Sequence, residues 1–166
     1  MKQTPTLTLT DFIEYFPEVN LPIILTEDAQ SVFSNENPPL PTQMIQQFII
    51  PIDNEVDDYT EYVPCFRIPK TYDFHAIVFW KGGLMNYQFF LATFEKNGNL
   101  IQKKAISGTQ VKADSLVRTI ATIEEDWRIT SVAGVASAKN SLIYDPATTL
   151  DSTLELLPDG KIIILT

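Results

Sequence analysis

Cysteine and histidine are nearly missing from this chain: its 166 residues include one of each, Cys65 and His75. A lone cysteine excludes an intramolecular disulfide, and cysteine scarcity fits a reducing compartment. A structural zinc site draws three or four ligands from histidine, cysteine and carboxylates. Cys65 and His75 stand ten residues apart with no pair motif, so neither a metal nor a cofactor is expected. Glycine is scarce as well. All six glycines fall at or after Gly82, and none belongs to a Gly-x-Ser-x-Gly elbow, a phosphate loop or a dinucleotide-binding set.

Long apolar runs are lacking too. No window nears the roughly 20 apolar residues of a membrane helix. No apolar stretch follows Lys2 as it would in a secretory signal, so the expectation is a cytoplasmic protein of bacterial type without an export signal. Positive charge is short, with 12 basic against 21 acidic residues and a net charge of −9. A chain of that charge repels nucleic acid and anionic lipid. Lys103, Lys104 and Lys112 make only a small basic spot without interleaved aromatics. Neither a nucleic-acid nor a membrane partner is expected.

What is present points to a folded core. Apolar residues make up 45% and aromatics 11%, enough to reject a disordered chain. The charge is divided unevenly. Residues 1–66 hold one basic and eleven acidic residues, a net of −10, and residues 67–166 hold eleven and ten, a net of +1. Nine of the eleven prolines fall at or before Pro69. About 66 proline-broken residues make a poor independent core. A single domain over residues 1–166 is therefore expected, with residues 1–60 an acidic, proline-rich, irregular and helical cover and residues 61–166 an antiparallel sheet.

Helical signals open the chain. Asp11 with Glu14 three residues later has the form of a capping box, and Phe12, Tyr15 and Phe16 then share a face before Pro17. Pro22 marks residues 21–25 as an edge strand. After Pro41, Ile45, Phe48 and Ile49 form a stripe that stops at Pro51.

From Tyr62 the period becomes that of strands. Residues 74–80 are apolar on both faces, Lys81-Gly82-Gly83 reads as a turn, and residues 84–94 carry aromatics on both sides. Two apolar faces predict a central strand covered on both sides, with the front helices as the second cover. Asn97-Gly98 predicts a hairpin, Ser107-Gly108-Thr109 a further turn, and Pro158-Asp159-Gly160 another. The two strand–turn–strand units around Asn97-Gly98 and Asp159-Gly160 look alike. No room remains for crossover helices, so the strands should form a meander. The expected class is α+β: an antiparallel meander of about six to eight strands with one or two short N-terminal helices and proline-rich loops. An all-β description is the close alternative.

The richest polar cluster is Asp53, Glu55, Asp57 and Asp58, extended by Glu61. Three of these have the 1, 3, 5 spacing of a calcium loop. Asp58 stands where that loop needs glycine and Pro64 where it needs glutamate. The run is therefore expected to be a solvated acidic surface, with Asp53, Glu55, Asp57, Asp58 and Glu61 as candidate binding residues. The expected function is a non-enzymatic binding or protein-interaction domain that engages a basic partner through its acidic front half. The alternative is a small hydrolase or lyase using carboxylates and His75 in a pocket between the sheet and the N-terminal segment.

Overall fold

The computed structural model describes residues 7–53, 59–84, 86–112, 115–137 and 150–165. Among them nine strands form one antiparallel sheet accompanied by three short helices. The strands are β1 (Ile23–Leu25), β2 (Glu61–Arg67), β3 (Phe74–Gly83), β4 (Asn86–Glu95), β5 (Leu100–Lys112), β6 (Ser115–Ile123), β7 (Arg128–Ser137), β8 (Leu150–Leu156) and β9 (Ile162–Leu165). The helices are α1 (Leu9–Ile13), α2 (Ala29–Glu36) and α3 (Thr42–Met44). The last continues through a π-helical turn at Ile45–Ile49 and a 3₁₀ turn at Ile50–Ile52.

Strands β2 to β9 follow one another across the sheet in chain order, the meander that the spacing predicts. Only β1 leaves that order, pairing with β6. Strand dominates to the point that the α+β and all-β descriptions lie close together.

The alternation within β3 sets the layers. Phe74, Ala76 and Val78 point to one face, and Ile77 and Phe79 to the other. The first face shares a core with Phe89 and Leu91 of β4 and with Ile123, Ile129, Leu154, Leu156 and Ile162 of the later strands. The sheet thus folds over, so that β6–β9 cover one side of β2–β5. The second face packs on Phe12, Phe16, Leu40, Met44 and Ile49. Phe12 stacks on Phe48 at 4.7 Å and meets Phe94 edge-on at 6.3 Å. The front helices are therefore the second cover expected for the central strands.

The fold-over happens within β5. Its residues Leu100–Gln110 pair with β4 and Gly108–Lys112 with β6. Phe89 faces Ser107 while Phe90 faces Ala105, so Ile106 is an extra residue, a bulge. Bulges let a strand switch from one layer to the next. Upstream of Gly108 the strand parts from β6, and β1 takes the place it leaves beside Ala121–Ile123. Hydrogen bonds then tie the layers together. Thr93 Oγ1 donates to the Gly160 carbonyl at 2.7 Å. The Gln102 side-chain amide both donates to the Ile162 carbonyl and accepts from its N–H.

Several local expectations are corrected. Ser107-Gly108-Thr109 is the bend of a continuous strand and not a turn. Lys81, Gly82 and Gly83 lie inside β3, and the chain leaves the strand only at Leu84. Gly82 is there because the Trp80 indole lies on it: a Cβ would come within 2.2 Å of the ring. The capping box of α1 is Thr8 with Asp11, one turn earlier than Asp11 with Glu14. Helix α2 went unforeseen because it buries a single side chain, Phe33, and one residue makes no stripe.

The likeness between the two hairpins is real and extends to a third. In each, a first residue accepts from the N–H three positions on and donates to the carbonyl four positions on. The first residues are Glu95, Glu124 and Leu157. The fourth position has positive φ: Gly98 at 101°, Gly160 at 89° and Trp127 at 68°. Only this position needs it, so Asn97 adopts ordinary φ. Trp127 holds a place suited to glycine because its indole packs edge-on against Phe74 at 6.0 Å.

Candidate functional site

The bend in β5 leaves space between the two layers. Low in the interior the inward files end on apolar residues. On β6 these are Ala121 and Ile123, on β7 Ile129, and on β8 Leu154. Two residues further along the same files stand Thr119, Ser131 and Ser152, and Ser131 is the cross-strand partner of Ser152. Across from them the bulge presents Ser107. Together with Lys104 these side chains line a cavity of about 230 Å³.

Ser107 is 4% exposed, and its Oγ has no hydrogen-bond partner among the described residues. Ser131, 6% exposed, donates to the Ile106 carbonyl at 3.1 Å and keeps its lone pairs free. A buried hydroxyl without a partner costs about 1–3 kcal/mol, so folded chains rarely keep one idle. Lys104 makes no ion pair among the described residues. Its neighbour Lys103 is committed elsewhere, donating to the Ile52 carbonyl at 2.7 Å and lying over the Phe90 ring. The wall thus offers four hydroxyls and one ammonium. Among the described residues it holds no carboxylate, imidazole or thiol.

Of the residues singled out from sequence, the described ones lie elsewhere. Asp53 is turned inward, its side chain 5% exposed. It accepts from Lys81 Nζ at 2.7 Å and from the Tyr62 hydroxyl. Glu61 is exposed at the start of β2, opposite Gly82. Glu55, Asp57 and Asp58 lie outside the described residues. Among the described residues no three histidine, cysteine or acidic side chains are grouped to hold a metal. No helix there is long and apolar enough to cross a membrane. Cys65 is fully buried, and burial pushes its thiol far above the ordinary range, which removes the thiolate a nucleophile requires.

Comparison with protein-family models, with curated proteins and with solved structures finds no match to this chain. What the protein does is therefore argued from the chemistry of its own residues.

His75 stands in the file of Ile77 and Phe79 on the helix-covered face of β3, half-buried. Partial burial lowers its proton affinity, and the charges of Lys96 and Arg67 lower it further. The folded state thus favours neutral imidazole, and the unfolded chain binds the proton more readily. Stability should fall as pH drops through the ordinary histidine value of about 6.5 and level off below the folded value. Thermal melts between pH 7.5 and 5.5 should show that fall, and it should shrink in His75→Gln. An equal fall in the variant would show that His75 does not carry it.

The cavity residues left a faint trace in the sequence. Ser131 and Thr119 occupy positions that strand alternation assigns to the interior, in step with Ile129 and Ile123. A hydroxyl in a core file is a polar-lined cavity in outline. Ser107 could not be read so, because the bulge that turns it inward is invisible to a period of two.

Proposed function

We propose that the protein is a non-enzymatic binding domain that takes up a small polar ligand between the two layers of its sheet. The observation that carries this reading is the buried Ser107 hydroxyl, unpartnered among the described residues, in the wall of a cavity. Hydroxyls from β5, β6, β7 and β8 converge there on rigid strands, the arrangement that fixes a ligand's orientation. A hydrolytic serine needs a base within hydrogen-bond reach. Ser107 Oγ has none among the described residues, and neither a described carboxylate nor His75 lines the wall.

A fragment screen of polyols, sugars and hydroxy acids by amide chemical shifts tests the reading. Saturable shifts should map to Ser107, Ser131 and Ser152. Ser152 is exposed at the rim, so Ser152→Trp should stay folded and block binding. Shifts that map elsewhere, or survive the plug, would overturn it.

A second reading keeps the acidic front half as a contact surface for a basic partner. Asp11, Glu14, Glu18, Glu27, Asp28, Glu36 and Glu61 are all exposed. Three of them are partly engaged, Asp11 by the Thr8 N–H, Glu18 by Arg67 and Glu27 by Arg118. Association carried by this surface would weaken steeply with added salt.

A further inference from the structure

We infer that the ligand of this cavity is a small hydroxylated monocarboxylate, its carboxylate held by Lys104 and Ser107 and its hydroxyls by Thr119, Ser131 and Ser152. The inference rests on the cavity reading above and adds the ligand's charge, size and polarity.

Size comes first. The cavity measures about 230 Å³. That is below the roughly 300–1,000 Å³ of sites for drug-sized ligands, which favours a small metabolite.

Polarity comes from the wall. Each serine or threonine hydroxyl both donates and accepts, so a cluster of them matches ligand hydroxyls, which do the same. The larger part of the wall is apolar, from groups such as Ala105, Ile106, Leu154 and Ile164, and suits the carbon skeleton of such a ligand.

Charge comes from the lysines. Lys81 is paired with Asp53, and Lys103 is bonded to Ile52 and stacked on Phe90. Lys104 is the cation at the cavity, and no described carboxylate pairs with it. An ammonium donates hydrogen bonds and accepts none, so it cannot be satisfied by another donor. In the same wall Ser107 Oγ is free to donate as well. Two donors and one positive charge fit one carboxylate. A dianionic phosphate would call for more cations than this wall holds. Every lining residue comes from residues 67–166, whose net charge is +1, so the negative charge of the front half is not built into the wall.

The test is a matched pair of probes: the four-carbon hydroxy acid erythronate and the neutral four-carbon polyol erythritol, each titrated into the full chain by calorimetry and amide shifts. Erythronate should bind about tenfold more tightly or better, the margin of a charge-assisted hydrogen bond. Lys104→Gln should remove that margin with the melting temperature unchanged, and Lys104→Arg should restore most of it. Ser107→Ala should weaken both probes. Equal binding of the two, indifferent to Lys104→Gln, would overturn the carboxylate assignment and leave the polar-ligand reading standing. Failure of both probes to bind overturns this inference. The wider fragment screen, mapped to the same amides, then decides whether the cavity reading falls with it.

Discussion

Gly108→Ala should destabilise the protein by about 4 kcal/mol, at the upper end of what one substitution does. Gly108 has φ of +142°, which side chains on L-residues rarely adopt. A Cβ at this position would lie 2.1 Å from the Tyr87 carbonyl oxygen and 2.7 Å from the Gln88 Cα. Both obstacles are backbone atoms of β4, held in the ladder that pairs Gln88 with Gly108. No side chain can swing away to relieve the contact. Relief requires opening the ladder where β5 changes layers, and that opening would also disturb Ser107 and the cavity wall. Gly83→Ala is the control. Its Cβ would meet nothing nearer than 3.8 Å, so its effect should stay within about 0.5 kcal/mol. Urea unfolding of the two variants side by side gives the comparison. A Gly108→Ala variant within about 1 kcal/mol of the parent would mean that β5 does not bend here.

That glycine also marks where sequence reading stopped. The switch from helical to strand-like patterning after Tyr62 located β3 and β4, because their β-branched and aromatic residues suit a covered strand. The apolar residues on both faces of β3 and β4 correctly called for two covers, and Phe12 and Ile49 supply one of them. A glycine between polar neighbours, however, reads the same whether it makes a turn or a bulge. Ser107-Gly108-Thr109 was ambiguous in this way, and the answer depended on Tyr87, some twenty residues earlier. The same holds for Gly82, whose reason is the Trp80 ring. Trp127 is a different case: its hairpin needs positive φ at a residue that disfavours it, kept there for its packing on Phe74.

The candidate site was harder to read for a related reason. Its hydroxyls come from four strands, and no two of them are neighbours in sequence. Lys103 and Lys104 look equivalent as a pair of letters. Alternation sends them to opposite faces, one onto the Phe90 ring and the other into the cavity. Acidic letters in a run were easy to notice, but burial separates their roles, and Asp53 is set apart from Glu61 by its own burial and its two part-buried partners.

Asp53→Ala should cost about 3 kcal/mol, and the reason lies in how the helical cover is joined to the sheet. The 3₁₀ turn Ile50–Ile52 ends the cover, and Asp53 follows it directly. Its carboxylate receives Lys81 Nζ at one oxygen and the Tyr62 hydroxyl at the other. Tyr62 and Lys81 are cross-strand partners on β2 and β3, so one carboxylate bridges two strands. Lys103 fixes the preceding carbonyl, that of Ile52, from β5. The Lys81 and Asp53 side chains are 13% and 5% exposed, so neither charge is well hydrated. Removing the acid takes from two part-buried donors the carboxylate that joins them, and the loss exceeds what an exposed ion pair such as Arg128–Asp126 could show. Replacing both charges by apolar groups, as in the double variant Asp53→Leu with Lys81→Met, should recover much of the loss, because a buried pair gains little over well-packed hydrophobic residues. Added salt should change the cost little, since buried pairs are poorly screened. Urea unfolding of the single and double variants at two salt concentrations measures all of this. A single variant that loses less than about 1 kcal/mol and is salt-sensitive would put Asp53 in water beside Glu61. The acidic run would then regain its first member as part of a contact surface.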